Sequence, residues 1–365
     1  MRITFTGDIL IYESQDQACL AKDGSRDYRP IFAQVKPLLD ESNYVVGSLE
    51  TTLAGAKMKY THSSSSFNTP DELLPALKWS GFDMLTTANN HCFDRGFEGH
   101  ARTIEMLEKN GLEFTGTRLT NDTPSYLMKD FEGTKIAFLS YTYGTNSEAN
   151  GVFVPKGKEY LVNLSRKQTP IIHQPLWKRV AKKLLLPIMR NRNIPSRIGD
   201  CVSASEINSG RNVSYEKAMV ETILEAKQKA DLVIMCLHSG GQFNSKVEDY
   251  TQHLFDLIAD AGVDAIVCNH AHTPLPIYRT GKCLIASALG NFSFAPGEGY
   301  WVDGVKAEYS VLLTIDIAEK KIVSYKVDIC KCVRNEKGLA ITIPVKMNSE
   351  DCDVIKRRIS NNEYD

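Results

Sequence analysis

No run of about 18 apolar residues, the length that crosses a bilayer as a helix, occurs in the 365-residue chain. The amino terminus, MRITFTGD, lacks the basic segment and the apolar core of about 7 to 15 residues that mark a secretory leader, so a cytoplasmic location is expected. Charge of one sign is also lacking. The net value of −1 leaves no whole-molecule field to favour nucleic acid or a membrane, and any polyanion preference must come from a local patch. The nine cysteines are odd in number and contain no CxxC pair, which speaks against a disulfide framework. Reduced, mostly buried thiols are the simplest account, and Cys330-Lys-Cys332 has no partner motif to make it a soft-metal site. What remains is ordinary globular composition, 42% hydrophobic and 24% charged. The length suits one α/β domain of roughly 250 to 300 residues with an insertion, or two domains.

The chain is organised around Leu85 to Gly96, LTTANNHCFDRG, where an apolar run stops at Asn89-Asn90-His91, with Asp94 three residues on, before a helix. An Asn-His pair alone fits a turn equally well, because Asn bonds its own backbone there. Repetition favours a site. Thr4 to Asp8, Tyr44 to Glu50, Leu232 to His238, Ala265 to His272 and Cys283 to Asn291 follow the same plan, and four of the eight histidines (His91, His238, His270, His272) fall at such ends. In open α/β sheets the carboxyl ends of strands are where ligands bind.

Helices are predicted from Pro30 to about Glu41, Pro70 to Ser80, Phe97 to Asn110, Ser214 (as N-cap) to Ala230, and Tyr250 to Ala261. The alternation at Tyr309–Ile315 and Lys321–Cys330 predicts an antiparallel pair, and the charged stretch after Asn348 is expected to fray. These elements suggest one domain made of residues 1–164 and 213–330, an insertion at 165–212 and a tail at 331–365. From Ser165 to Arg197 there are nine Lys or Arg residues and no Asp or Glu, with a short amphipathic helix over Trp177–Met189 limited by Pro187. That stretch reads as a lid packed on the main domain, as a basic face steering an anionic substrate, or as a membrane-surface contact.

Carboxylates, imidazoles and a carboxamide oxygen meeting at one sheet edge are ligands for divalent Mn, Fe, Zn or Mg, and the absence of thiolates points to an open site rather than a structural zinc. His270-Ala-His272 sharpens this, although two stacked core histidines on a continuing strand would show the same spacing.

Gly7-Asp8, Ser48-Leu49-Glu50, Ala88-Asn-Asn-His91 with Asp94 and Gly96, His238-Ser-Gly240, His270-Ala-His272 and Ser287-Ala-Leu-Gly-Asn-Phe292 resemble, in order, the motifs of CapA-type proteins. These are named for capsule and poly-γ-glutamate synthesis, within the calcineurin-like metallophosphoesterase superfamily. The resemblance runs from residue 1 to about 315, the basic insertion excepted. It implies an α/β fold of the metallophosphoesterase-like αββα kind, two sheets flanked by helices. It also implies one metal site at Glu50, Asn90, His238 and His270, a second beginning with Asp8, Glu50 and His272, and His91 as general acid or transition-state donor oriented by Asp94. Departures bear on the second ion. Leu10 stands where the superfamily's Asp-x-His has its histidine, Glu50 replaces the bridging Asp, Gln242 closes His238-Ser-Gly-Gly-Gln, and Asn269 replaces the Gly of Gly-His-x-His.

Three functions follow from that likeness. One is hydrolysis of a phosphoester or amide by water that a metal activates. Another is epimerisation or isomerisation of a peptide, in which Asp8 or a neighbouring His removes a Cα proton beside a metal-polarised carbonyl. The third is a non-catalytic scaffold for polyglutamate or capsule synthesis partners, the pocket holding an acidic peptide and the basic insertion supplying attraction.

Overall fold

The computed structural model describes residues 1–62, 66–168, 200–297 and 305–360. Two sheets face one another. In the first, β1 (Arg2–Ile9), β2 (Tyr44–Leu49), β3 (Met84–Thr86) and β4 (Glu113–Thr115) run parallel in that order. Beyond β1 the antiparallel β12 (Tyr309–Ala318), β13 (Lys321–Arg334) and β14 (Ala340–Pro344) extend the sheet, and β11 (Asn291–Ser293) lies parallel to the end of β1. The second sheet is ordered β5 (Tyr126–Phe131), β6 (Thr134–Thr142), β7 (Leu232–His238), β8 (Ala265–Asn269), β10 (Cys283–Leu289) and β9 (Pro274–Thr280). Its four inner strands are parallel and its two edges antiparallel.

Strands buried on both faces need apolar residues on both, which is why β7 and β10 read as runs and not as alternations. Ile3, Phe5, Val46 and Met84 meet Ile136, Phe138, Ile234 and Val267 between the sheets. The opposite faces lie under helices. Val45, Leu49 and Leu85 pack beneath α2 (Arg29–Phe32), α3 (Lys36–Leu39), α4 (Leu73–Ser80) and the end of α5 (Gly96–Lys109). Leu139, Val233, Met235 and Ile266 pack beneath α7 (Val213–Lys229) and α8 (Asp249–Asp260). The layering is therefore helix, sheet, sheet, helix. Short helices α1 (Glu13–Cys19) and α6 (Ser147–Asn150) sit on the loops after β1 and β6.

Three local expectations are corrected. The helix predicted from Pro30 to Glu41 is two separate turns, α2 and α3, because Pro37 has no N–H to continue the ladder and its ring opposes the preceding turn. The N-cap of α7 is Asn212, not Ser214. Its side chain tethers neighbouring loops instead of capping, donating to Glu206 Oε2 at 3.2 Å and accepting from the Lys167 N–H at 3.2 Å. The stretch after Asn348 does not fray through its described length. Ser349 caps α9 (Glu350–Ile359), its Oγ accepting from the Cys352 N–H at 3.2 Å, and Cys352, Ile355 and Ile359 join the inter-sheet core. An acidic first turn and a basic last turn suit the helix dipole. Arg166, counted above with the basic face, is buried between Glu206 and Glu148, each 3.5 Å away. The helix predicted at Trp177–Met189 lies outside the described residues. None of the nine cysteines is disulfide-bonded, Cys201 being half-buried and the other eight buried. No helix among the described residues is long and apolar enough to cross a membrane.

Candidate metal centre

The parallel strands of both sheets end at the same edge. Asp8 closes β1, Glu50 follows β2, Asn90 and His91 follow β3, His238 closes β7, and His270 and His272 follow β8. Two glycines let the sheets come together there. A Cβ on Gly7 would stand 2.1 Å from Gly290 O, and one on Gly290 would stand 2.5 Å from Tyr309 O. With both absent, the Asp8 N–H reaches Gly290 O at 2.9 Å and the turn after β10 closes against β1.

His270 and His272 share a side for a different reason from strand alternation. The strand β8 stops at Asn269, and both histidines adopt left-handed backbone conformations (φ +98° and +57°), which L-residues seldom do outside a constrained loop. That loop turns their rings to 5.7 Å apart, and both face the same carboxylate.

Glu50 is the centre. Around its Oε1 lie His238 Nε2 at 3.5 Å, His272 Nε2 at 3.7 Å, His91 Nε2 at 3.9 Å and His270 Nδ1 at 4.0 Å. The His238 Nε2 is engaged instead with Asn90 Oδ1 at 2.8 Å, and neither Glu50 oxygen has a hydrogen-bond partner among the described residues. Asp8 sits beside it, Oδ1 at 3.7 Å from His238 Nδ1 and Oδ2 at 3.7 Å from His272 Nδ1. Two ligand sets result, Glu50 with His238 and His270, and Glu50 with Asp8 and His272. Within each, the ligand atoms lie within 4.8 Å of one another. Asp8 and Glu50 are fully buried.

A buried carboxylate without a donor is costly unless a cation balances it. This donor set, oxygen and imidazole nitrogen throughout, matches a hard-to-borderline divalent ion, so the cluster can hold a metal. The electrostatics agree. Burial, and then the charge of Glu50, raise the Asp8 carboxyl well above the ordinary range, against hydrogen bonds from the His270 N–H and the Ser48 hydroxyl. Burial also raises Glu50, but the imidazoles of His272, His238 and His91 outweigh it and the net shift is downward. Burial lowers His238 in spite of Glu50, which favours the neutral imidazole that a metal ligand requires.

Further side chains set orientation. Asn291 donates its amide hydrogens to His272 O (3.1 Å) and Ala307 O (3.0 Å), so its Oδ1, 2.8 Å from His272 Nδ1, accepts. The His272 proton is thereby fixed on Nδ1 and the Nε2 lone pair faces Glu50. His91 Nδ1 lies 2.6 Å from Asp94 Oδ2, so its Nε2 faces the pocket. Asp94 is held in turn by the Phe67 N–H at 2.7 Å and by Asn150 Nδ2 at 3.2 Å, and the Phe67 ring stands edge-on to His91 at 4.8 Å.

All eight positions suspected from the sequence therefore gather in one place: Asp8, Glu50, Asn90, His91, Asp94, His238, His270 and His272. Within Asn89-Asn90 the two readings divide. Asn89 makes the turn, its Oδ1 accepting from the His91 N–H at 3.0 Å, and Asn90 faces the pocket. Leu10 is buried among Tyr12, Phe67, Phe243 and Phe294. Sequence reasoning did not single out Asn291, Ser48, Asn150 or Phe67. Asn291 and Ser48 did lie within motifs, at the same strand ends as the ligands.

Among known proteins, the PGA biosynthesis protein CapA of Bacillus subtilis (strain 168) is 25% identical over 309 residues, covering 84% of this chain and 66% of its own length. The Capsule biosynthesis protein CapA of Bacillus anthracis is 24% identical over 315 residues, covering 85% and 63%. The chain thus spans somewhat less than two thirds of the length of these relatives. The solved structure of a hypothetical protein from Thermus thermophilus superposes with a TM-score of 0.46 at 12% identity, over 91% of this chain and 99% of that one. The family described as Bacterial capsule synthesis protein PGA_cap matches residues 2–296, a stretch that contains every residue of the cluster. On that match the chain belongs to the bacterial capsule synthesis family PGA_cap, within the metallophosphoesterase-like superfamily.

Proposed function

We propose that this protein is a metal-dependent hydrolase acting on poly-γ-glutamate or a related acidic peptide polymer in capsule synthesis, cleaving an amide or a phosphoester. The observation that carries the reading is Glu50, a fully buried carboxylate with no hydrogen-bond donor among the described residues and four imidazole nitrogens within 4.0 Å. Glu50, Asn90, His238 and His270 would hold one divalent ion. Asp8, Glu50 and His272 form a second, poorer set, in which Leu10 leaves a ligand short. When bound, the metal polarises the oxygen of the scissile group and lowers the pKa of water.

The rest of the work falls to side chains. Asp94 fixes the Nδ1 proton of His91 and supports positive charge on the ring. Protonated also at Nε2, His91 delivers that proton to the leaving group from the pocket face. Phe67, edge-on to His91, keeps water from its flank. Apart from the ion-paired Arg166, the sequence from 165 to 197 carries eight Lys or Arg residues and no Asp or Glu, a charge that would favour an acidic polymer.

The test begins with elemental analysis of chelator-free protein, followed by assays with added Mn on p-nitrophenyl phosphate esters and γ-linked glutamyl peptides. His91→Ala should retain its metal and lose about 10²- to 10⁴-fold in kcat. Transition metal below about 0.2 equivalents, not restored by soaking, would sink the enzyme reading in favour of a scaffold for capsule partners. Leu10 favours a second reading, since one Lewis acid suffices for epimerisation by Cα proton removal. Deuterium uptake from heavy water into an otherwise unchanged peptide selects it over hydrolysis.

A further inference from the structure

Asn291 holds the outward nitrogen of His272. The outward nitrogen of His270, Nε2, lies 3.3 Å from Cys201 Sγ. We propose that Cys201 is the positioning residue of His270, its sulfur accepting the Nε2–H so that Nδ1, on the Glu50 side, keeps its lone pair for a cation. This rests on the metal reading of the site.

The sulfur is fixed from behind. The Cys201 N–H donates to Glu248 Oε2 at 2.8 Å, and Glu248, the N-cap residue of α8, also accepts from Thr251 Oγ1 at 3.1 Å. Thr251 pairs with Ser239 at 2.8 Å, and Ser239 follows His238 directly, so the anchor returns to the strand that supplies another ligand. The Tyr143 ring packs against His270, its centroid 4.8 Å away, and restrains the imidazole from another direction. Metal-ligating histidines ordinarily give their second N–H to a carboxylate or a carbonyl. A neutral sulfur is a weaker acceptor, so it sets the tautomer and the ring angle while adding little electron density to the ligand.

The experiment is a Co²⁺ titration of the full chain, read by visible absorbance, for wild type, Cys201→Ser and Cys201→Ala, with thermal unfolding of each metal-free protein alongside. Cys201→Ala should weaken Co²⁺ binding about 10- to 100-fold and shift the absorption bands as His270 loses its fixed angle. Cys201→Ser, whose hydroxyl oxygen accepts the same N–H, should stay within about threefold of wild type. Cys201→Ala binding Co²⁺ as wild type does, with the same bands, overturns the assignment. So does Cys201→Ser as weak as Cys201→Ala, which would make the effect one of packing. Wild type that takes up no Co²⁺ fails at an earlier point, the metal reading itself, and the assignment falls with it.

Discussion

The two sides of Glu50 are built unequally. Toward His270, the carboxylate meets His238, whose Nε2 lies 2.8 Å from Asn90 Oδ1, and His270, with Cys201 behind its ring. Toward His272 it meets Asp8 and one imidazole, and Leu10, two residues beyond Asp8, is packed in an aromatic cluster of Tyr12, Phe67, Phe243 and Phe294. The same carboxylate thus joins a side completed by polar groups to a side closed by apolar packing, and occupancy should follow that difference. The largest effect expected is that of Glu50→Ala, which removes the ligand common to both. Metal binding measured calorimetrically with Mn should fall about a thousandfold or more, as expected for loss of a charged inner ligand. His238→Ala should remove the tighter ion, whereas His272→Ala should remove only the weaker one. Equal losses in the two single variants would show the sides to be equivalent and break the comparison.

How much of this was legible beforehand depends on how locally each feature is encoded. The inner strands announced themselves because each fully buried run ends in a ligand-type residue, as at Asp8, Glu50 and His238. The split between α2 and α3 was also encoded, in Pro37. The last helix was masked by its own charge, since Cys352, Ile355 and Ile359 form a narrow apolar stripe among the charged residues of EDCDVIKRRI. Contacts across long separations had no local trace. Cys201 meets His270 over 69 positions and Asn90 meets His238 over 148, and no spacing rule reports either. The turn that brings His270 and His272 together was likewise hidden, because alternation on a strand produces the same His-x-His pattern as a left-handed loop.

The His270 side should carry a pH response of its own, through Glu248 behind Cys201. Burial pushes the Glu248 carboxyl up to about 7, against hydrogen bonds from the Cys201 N–H and Thr251. Its folded pKa lies above the unfolded value, so the folded state binds the extra proton. The stability it contributes is fully present below about pH 4.5 and is lost as pH rises through about 7, by up to about 3 kcal/mol. Asp8 shifts in the same direction, so the useful quantity is a difference. Urea unfolding of metal-free wild type and Glu248→Gln should give curves that diverge from about pH 4.5 to 8, only the wild type losing the Glu248 contribution. Parallel curves would remove Glu248 from the account of this side.

A smaller effect comes from making the sides alike. Leu10→His would place an imidazole beside Asp8, where the superfamily's Asp-x-His has one, and should raise affinity for a second ion by about tenfold. The gain is limited because the new ring must enter a dry pocket. Leu10 is 1% exposed, and Tyr12 packs edge-on against both Phe67 and Phe294 with centroids 5.6 Å apart. Inserting a polar ring there should cost the metal-free protein about 1 to 3 kcal/mol, and a bound ion should offset part of that cost. The variant should therefore unfold at lower temperature than wild type without metal, and the gap should narrow in excess Mn. A variant as destabilised with metal as without it would mean that the aromatic cluster, and not the missing imidazole, sets the character of this side.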